Sequence, residues 1–283
     1  MTGIRIVTDS ACDLLDETLE EWRIAMVPLR IRFGDEELVD RHELTTKDFW
    51  YRCSTSDVLP STAAPSPGQF QRVFEGIADE GAAGIVCINL SSKMSATIEA
   101  ARQGAAPLAG RIPIRVVDSM TVTLGIGLVA TEAARLAASG ATLEEVENCA
   151  IAASRSLKLY GAIDTLENLK KGGRIGGARA ALGSMLAIKP VIEVRDGVVE
   201  EESKQRTRAR SLRYLADKVR QAGPLRRLAV FSADAPDRDE FVGMLDKVDV
   251  TDGDILFGDV GPVVGSHAGR GAIGVAWLPE ERC

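Results

Sequence analysis

Length, composition and charge exclude several classes of protein. The chain has 283 residues, of which 45% are hydrophobic and 27% charged, and its formal net charge is −7. A chain of this size usually divides its core between two domains, so we expect two. The negative charge, and the lack of a basic run interleaved with aromatic residues, argue against a nucleic-acid surface.

The chain start and the cysteines indicate a cytoplasmic protein. The first residues, MTGIRIVTDS, carry no basic region followed by a long apolar one, and no apolar stretch approaches the length of a membrane span. The five cysteines, of which Cys283 is the last, show no close pairing, and the two histidines stand apart from any cluster of ligand residues. We therefore expect no disulfide, no bound metal and no cofactor.

The first half alternates apolar strands with amphipathic helices. IRIVTDS, IAMVPLRIRF, AGIVCINL and IPIRVVDS have the pattern of strands, and DLLDETLEEW, PGQFQRVFEGIADEG and GIGLVATEAARLAASG have the pattern of helices. Alternation of this kind predicts an α/β fold with a mainly parallel sheet flanked by helices.

The second half has a different order of elements. KPVIEVRDGVVEEESK predicts a β-hairpin, because Asp196-Gly197 suits a tight two-residue turn. The later strands RLAVFSA and DILFGDVGPVVG complete a mixed or antiparallel sheet with helices. We place the domain boundary where the pattern changes, with an N-terminal α/β domain at residues 1–157 and a C-terminal one at 158–283.

Three glycine patterns resemble nucleotide sites without meeting their requirements. GRGAIG, at Gly269–Gly274, has too little chain after it for a dinucleotide-binding unit, and GIGLVA, at Gly125–Ala130, favours close packing of a helix. KKGGRIGGARAALGS lacks the Gly-Lys-Ser/Thr ending of a phosphate loop, although its cations suit an anion.

Two groups of hydroxyl residues precede predicted helices. In VCINLSSKMSATIEAARQ a strand gives way to a helix through Ser91, Ser92, Ser95 and Thr97. Helix starts expose unpaired N–H groups, so added hydroxyls favour an anion, although simple N-capping accounts for any one serine. LPSTAAPSPGQF is the second such group, for which turn chemistry is the alternative.

Two roles are possible for His267, and two for the aromatic segment DFWYRC. His267 lies in the glycine-bracketed GSHAGRG, where it suits a carboxylate or phosphate, or is an ordinary loop histidine. Phe49, Trp50 and Tyr51 suit the core of a short helix, or a transient contact with a membrane surface.

Taken together, these stretches resemble the DegV-like family of fatty-acid-binding proteins, which includes the lipid-carrying subunits of bacterial fatty acid kinases. Its motifs appear in order as IVTDSACDL, MVPL, PSTAAPSPGQF, LSSKMSATIEAA, KGGRI, IKP, KQRTR and SHAGRGAIG. The resemblance spans nearly the whole chain. It implies two α/β domains with a long-chain fatty acid between them, presented to an ATP-dependent kinase partner that converts it to an acyl phosphate.

The resemblance also implies roles for individual residues. The carboxylate would be held by Thr62, Ser95 and His267. Secondary contacts with the head group would come from Ser61, Ser92 and Ala96. The phosphorylated head group or the partner would contact Arg174, Arg206 and Arg270. The chain departs from the family pattern at Ala63 and Ala64, where polar residues are lost, and at Arg270, which would add a cation beside the anion.

Two other functions stay open at this point. The first is a lipid sensor or transport protein whose ligand is never phosphorylated. The second is a hydrolase that uses a serine with His267 and an acid such as Asp9 or Asp118, although no Gly-X-Ser-X-Gly elbow supports it.

Overall fold

The structure, a computed structural model, describes residues 3–56, 58–179, 188–253 and 255–280. Cys283 and the last part of KKGGRIGGARAALGS lie outside these ranges. Within them the chain forms three sheets, each with its own strand order. The mainly parallel first sheet and the mixed last sheet confirm the predicted fold class.

The first sheet has four parallel strands in the order β2-β1-β6-β7. They are β1 (Ile4–Asp9), β2 (Ala25–Val27), β6 (Gly84–Asn89) and β7 (Ile114–Asp118). The second sheet is small and antiparallel, in the order β4-β3-β5. Its strands are β3 (Arg30–Phe33), β4 (Glu36–Val39) and β5 (Ser61–Ala63).

The third sheet has six strands in the order β10-β9-β8-β13-β11-β12, antiparallel except for the pair β11 and β12. They are β8 (Lys158–Ala162), β9 (Lys189–Arg195), β10 (Val198–Gln205), β11 (Leu225–Ser232), β12 (Leu256–Asp259) and β13 (Ile273–Pro279). The predicted hairpin is confirmed: β9 and β10 flank Asp196 and Gly197, whose φ angles of 50° and 78° suit a tight hairpin turn.

Ten α-helices lie in the described ranges. They are α1 (Asp16–Glu21), α2 (Thr46–Thr55), α3 (Pro67–Asp79), α4 (Thr97–Ala105), α5 (Leu124–Ala138), α6 (Leu143–Ser156), α7 (Glu167–Lys171), α8 (Arg208–Gln221), α9 (Arg238–Gly243) and α10 (Pro262–Ala268). The start of α3 carries a capping box of Ser66 and Gln69, with Pro67 in the first turn.

Two predicted strands were wrong in extent. IAMVPLRIRF divides into β2 and β3, which belong to different sheets, because Pro28 between them has no N–H to donate to a ladder. The second part of DILFGDVGPVVG is helical, with Pro262 in the first turn of α10. His267 therefore lies in the last turn of a helix, not in the glycine-bracketed turn that we expected.

Helix α5 joins the first and third sheets into one core. It packs against β1 and β6 on one side and against β11 and β13 on the other. A side chain at Gly125 or Gly127 would meet neighbouring atoms at 2.6 and 2.8 Å, so this glycine pattern serves close packing, as predicted. One continuous hydrophobic cluster accordingly contains Ile6 and Leu278, near opposite ends of the chain.

The same helix carries a buried charge. Glu132, only 8% exposed, accepts a hydrogen bond from Arg227 Nε at 2.8 Å and forms an ion pair with Arg226 Nη1 at 3.0 Å. Both arginines lie on β11, and their side chains are buried as well. This ion cluster therefore links the helix of the first half to the sheet of the second.

Candidate functional site

A narrow cavity of about 90 Å³ lies between the first and second halves of the chain. Its walls are mostly apolar. The first half contributes side chains such as Leu29, Leu90 and Val122, and the second contributes Leu159, Ile192 and Val263. Polar side chains in the lining are few, namely Thr62, Ser95, Thr123, Arg174 and His267. An apolar chamber with a few convergent polar groups is the usual form of a small-molecule site.

Thr62 and His267 meet in the cavity wall although 205 residues separate them. The hydroxyl of Thr62 on β5 lies 3.1 Å from Nε2 of His267 on α10, within hydrogen-bond distance. Strands β3 and β5 of the small antiparallel sheet pack against α10. This packing holds Thr62 and His267 in place. The sequence named both residues, and the structure brings them together.

Ser95 reaches the same cavity from the loop before α4. Its hydroxyl lies 2.9 Å from the hydroxyl of Thr97 and accepts the Thr97 N–H at 3.3 Å. The helix begins at Thr97, and its N-cap residue Ala96 provides no side-chain cap. The Ser95 hydroxyl, which lines the cavity, therefore keeps hydrogen-bonding capacity for a ligand, whereas Thr97 is fully buried and lies outside the lining.

Arg174 ties the Ser95 loop to the His267 side of the cavity. Its Nε donates to the carbonyl of Met94 at 3.0 Å, and its Nη1 donates to the carbonyl of Gly172 at 2.6 Å. A side chain at Gly172 would come within 2.3 Å of His267 Nδ1, so the glycine allows the imidazole to pack there. Thr62, Ser95, Arg174 and His267 thus form one linked group in the cavity lining, and the Arg174 guanidinium in this group is exposed.

His267 is neutral at physiological pH. Burial, with a smaller contribution from the charge of Arg174, lowers the pKa of His267 to about 4. Its Nδ1 is buried and has no hydrogen-bond partner in the described residues. The side chain therefore offers one uncharged nitrogen to the Thr62 hydroxyl and no positive charge to a ligand.

The other residues implied by the resemblance lie outside the cavity lining. Ser61, Ser92, Ala96 and Arg206 are exposed, and Ser92 donates its N–H to Asp118. Arg270 forms an ion pair with Asp234, with Nη2 at 2.6 Å from the carboxylate. The structure thus does not bring Arg270 into the cavity lining, and its charge already has a partner.

One buried segment, Thr8–Asp13, which runs from the end of β1 into the turn that follows, supports the three elements that carry Thr62, Ser95 and His267. Asp9 accepts the N–H of Leu90 at 2.9 Å, which fixes the start of the Ser95 loop. Ser10 accepts the N–H of Leu29 at 3.0 Å, just before the strand that pairs with Thr62. Sequence reasoning missed these supporting roles, whose only signal was the polar run TDS inside an apolar strand pattern.

Asp13 provides the third support. Its Oδ1 accepts the N–H of Gly261, the N-cap residue of α10, at 3.0 Å, and so positions the helix that carries His267. Burial is the main cause that raises the pKa of Asp13 to about 8, and the neighbouring Asp40 raises it further. Burial also raises the pKa of Asp9 and that of Asp40 to about 6.

These pKa values predict a pH dependence of stability that Asp13→Asn should reduce. Between the ordinary pKa of 3.8 and about 8, folded Asp13 keeps a proton that the unfolded chain has lost, so stability falls as pH rises through this range. Asparagine keeps an acceptor for Gly261, tolerates the φ of 52° at this position and does not titrate. Urea unfolding from about pH 4 to 9 should show the variant gaining stability relative to wild type as pH rises.

The exposed Asp16→Asn is the matched control for removing a carboxylate from this part of the chain. A difference between Asp13→Asn and wild type that stays constant with pH would contradict the raised pKa of Asp13.

The arrangement does not form a hydrolase triad. A serine hydrolase needs a serine at one ring nitrogen of the histidine and a carboxylate at the other. Here the hydroxyl at His267 belongs to a threonine, and Nδ1 lacks a carboxylate in the described residues. Asp9 and Asp118 instead accept backbone N–H groups, those of Leu90 and Ser92. The lowered pKa of His267 also makes it a weak base.

The aromatic segment serves the core. Phe49 is fully buried and Trp50 is 6% exposed, with its indole N–H donating to the carbonyl of Val260 at 3.3 Å. Tyr51, 68% exposed, is the one aromatic of the three that a membrane surface would reach.

A metal cluster and a membrane-spanning helix are both absent from the described residues. Among the described residues, no group of three or more His, Cys, Asp or Glu side chains is placed to hold a metal ion. No helix in the described ranges has the length and apolar character needed to cross a bilayer.

Comparisons with known proteins agree with the resemblance in sequence. A DegV domain-containing protein of Streptomyces coelicolor is 34% identical over 278 residues, which cover 96% of this chain and 97% of that one. A fatty-acid-binding DegV family protein of Thermus thermophilus has the same fold, with a TM-score of 0.89 at 28% identity, covering 98% of this chain and 99% of that one.

The fatty-acid-binding protein DegV of Bacillus subtilis superposes with a TM-score of 0.85 at 27% identity, covering 99% of this chain and all of that one. The sequence model of the DegV family matches residues 3–280. The whole described fold, the cavity between its halves and these matches lead to one conclusion: this chain belongs to the DegV family.

Proposed function

We propose that the protein binds a long-chain fatty acid in the cavity, with the carboxylate at Thr62, Ser95 and His267. The observation that carries this proposal is a mostly apolar cavity in whose lining Thr62, His267, Arg174 and the Ser95 loop are linked to one another. The similar Thermus thermophilus and Bacillus subtilis proteins are fatty-acid-binding proteins. The bound ligand would place its tail between the two halves of the chain.

The tail supplies most of the affinity in this proposal. Burying about fifteen CH₂ groups at roughly 0.8 kcal/mol each gives a gross driving force on the order of 12 kcal/mol. Part of this is offset by the lost freedom of the ligand. The head group contributes less to affinity and decides which end of the ligand lies at the mouth.

Uncharged donors suit the head group of a carrier. An unpaired buried carboxylate costs several kcal/mol, and the Thr62 and Ser95 hydroxyls offset this without an ion pair. His267, kept neutral by its lowered pKa, orients the Thr62 hydroxyl. A carboxylate held in this way remains nucleophilic toward a phosphoryl donor.

The double variant Thr62→Ala, Ser95→Ala tests the head-group assignment. Hydrogen bonds to a charged group contribute about 1.5–3 kcal/mol each, so we expect fatty-acid affinity to fall at least roughly ten-fold with the fold intact. Displacement of a fluorescent fatty acid measures the affinity, and native mass spectrometry shows the lipid that co-purifies.

Ser61→Ala, Ser92→Ala is the matched control, because both hydroxyls lie outside the cavity lining. Equal affinity in the test and control variants would refute the assignment. A wild-type protein that neither carries nor takes up a fatty acid would refute the function itself.

We further propose that an ATP-dependent kinase partner phosphorylates the bound fatty acid. A carboxylate oxygen would attack the γ-phosphorus of ATP, the bond to ADP would break, and the carrier would retain the acyl phosphate. The support is Arg174, an exposed cation in the cavity lining. Arg206 and Arg270 are proposed as further contacts of the partner, since both are exposed.

Arg174→Ala should separate binding from phosphorylation. We expect fatty-acid affinity within about two-fold of wild type, since the tail dominates it, and at least a ten-fold lower rate of acyl phosphate formation with a cognate kinase. Arg102→Ala, which removes an exposed arginine far from the cavity lining, is the control. An unchanged rate for Arg174→Ala would contradict its role. No phosphorylation of wild type would favour a sensor or transport protein.

A further inference from the structure

One row of residues crosses the third sheet on the side that faces the cavity. Gly161 on β8 pairs with Ile192 on β9, Gly274 on β13 pairs with Gly161, and Phe231 on β11 pairs with Gly274. All four residues line the cavity. Residues directly opposite one another in neighbouring strands project to the same face, so the four form one continuous strip.

The middle of this strip is bare backbone. Glycine weakens a strand, and inside a sheet it often marks a place where a ligand or another chain approaches closely. Two glycines stand side by side here, on neighbouring central strands, between the bulky side chains of Ile192 and Phe231. Both glycines are buried, so neither serves a solvent-exposed turn.

The protein's own packing does not require glycine at position 161. A methyl group there would meet its nearest neighbour, Ile192 Cγ1, at 3.6 Å, an ordinary contact distance. It would instead take up room in the cavity. The absence of a side chain at position 161 therefore leaves space in the cavity for a ligand.

Position 274 is different, because the ring of Phe231 covers it. A methyl group on Gly274 would lie 2.1 Å from Phe231 Cε2, so the ring is folded over the glycine. Phe231 is 6% exposed and forms the side wall of the strip. With the ring in this position, Gly161 is the glycine of the strip that stays uncovered, and neighbouring strands of a sheet lie about 4.8 Å apart.

We propose that the acyl tail crosses the strip over Gly161, beside the Phe231 ring that covers Gly274, and that this ring restricts the site to unbranched tails. Non-bonded carbon atoms approach to about 3.5–4.0 Å, so a single polymethylene chain fits a strip one strand wide and a methyl-branched chain does not. This inference rests on the proposed fatty-acid binding and adds its specificity: Phe231 and the two glycines select the shape of the tail.

Competition between two saturated acids with the same sixteen-carbon main chain tests the proposal. Palmitic acid is unbranched, and phytanic acid carries four methyl branches along the chain, so the result does not depend on where the strip meets the tail. Each displaces a fluorescent fatty acid from the purified protein. Wild type should prefer palmitic acid at least ten-fold, and Phe231→Ala should reduce this preference at least five-fold.

Gly161→Ala should narrow the site and weaken the binding of palmitic acid. A methyl group on the strip displaces about one methylene of the tail, so the affinity for palmitic acid should fall about four-fold, the equivalent of 0.8 kcal/mol. Adding Phe231→Ala to Gly161→Ala should restore part of that affinity, because the removed ring leaves room for the tail to move aside. Loss of stability alone would not produce this rescue.

Val275→Ala is the matched control. Val275 follows Gly274 on β13, is fully buried in a different hydrophobic cluster and does not line the cavity. It should reduce thermal stability and leave the preference between the two acids unchanged. Phe231→Leu replaces Phe231→Ala if the latter does not fold, with a smaller change in the same direction.

The outcomes separate this inference from the proposed function. Wild type that binds neither acid refutes the function. The inference is overturned, and the function left intact, if wild type binds palmitic acid but the Phe231 and Gly161 variants behave like Val275→Ala. Behaving alike means that both the affinity for palmitic acid and the preference between the two acids agree within two-fold. A wild type that binds both acids equally overturns the inference as well.

Discussion

Replacing Glu132 with alanine is expected to lower the free energy of unfolding by about 3–5 kcal/mol, the range for a broken buried ion pair. The carboxylate lies 2.8 Å from Arg227 Nε and 3.0 Å from Arg226 Nη1, and all three side chains are buried. Its removal takes away the buried carboxylate that the two arginines share, and leaves Arg227 paired with the half-exposed Asp252, at 2.8 Å. A loss of this size is a large fraction of the 5–15 kcal/mol that stabilises an ordinary domain.

Urea unfolding followed by circular dichroism measures the loss, and Glu99→Ala provides the control. Glu99 is also a helical glutamate paired with an arginine, Arg102, but both side chains are more than half exposed. Solvent screens such a pair, so its removal should cost no more than about 1 kcal/mol. Similar losses in the two variants would contradict the importance of burial at Glu132.

Replacing Val194 with aspartate is expected to weaken fatty-acid binding at least a hundred-fold. Val194 lies on β9, is 8% exposed and lines the apolar part of the cavity. A carboxylate there is hydrated in the free protein and loses that water when the tail enters, at a cost of several kcal/mol. A hundred-fold loss corresponds to about 2.7 kcal/mol, well within this cost.

Val194→Thr is the control, since threonine has nearly the shape of valine and adds only a neutral hydroxyl. Its affinity should fall about ten-fold or less, and thermal unfolding should confirm that both variants fold. Val264→Asp, at a half-buried lining position on α10, repeats the test if the strand variant is unstable. Wild-type affinity in both aspartate variants would mean that the tail lies elsewhere.

Local patterns predicted most of the elements. The hairpin at Asp196-Gly197 and the strand at Gly84–Asn89 were both readable, because turns and buried strands depend on a few adjacent residues. The division of IAMVPLRIRF was missed even though Pro28 signals it. Its apolar pattern continues across the proline, and alternation alone does not say which sheet a strand joins.

The site was harder to predict, since its contacts join distant parts of the chain. Thr62 and His267 were named from the family resemblance, and no spacing in the sequence places them 3.1 Å apart. The hydrogen bond from Gly261 to Asp13 spans 248 residues and left no local signal. The row of Ile192, Gly161, Gly274 and Phe231 depends on the register of four strands, which sequence periodicity does not fix.

The supports in the segment Thr8–Asp13 have a consequence for synthesis on the ribosome. This segment emerges early, and its partners at Leu29 and Leu90 follow soon after, but its last partner, Gly261, and the imidazole of His267 come far later. In a nascent chain the proposed head-group site is therefore incomplete until residue 267 has left the exit tunnel.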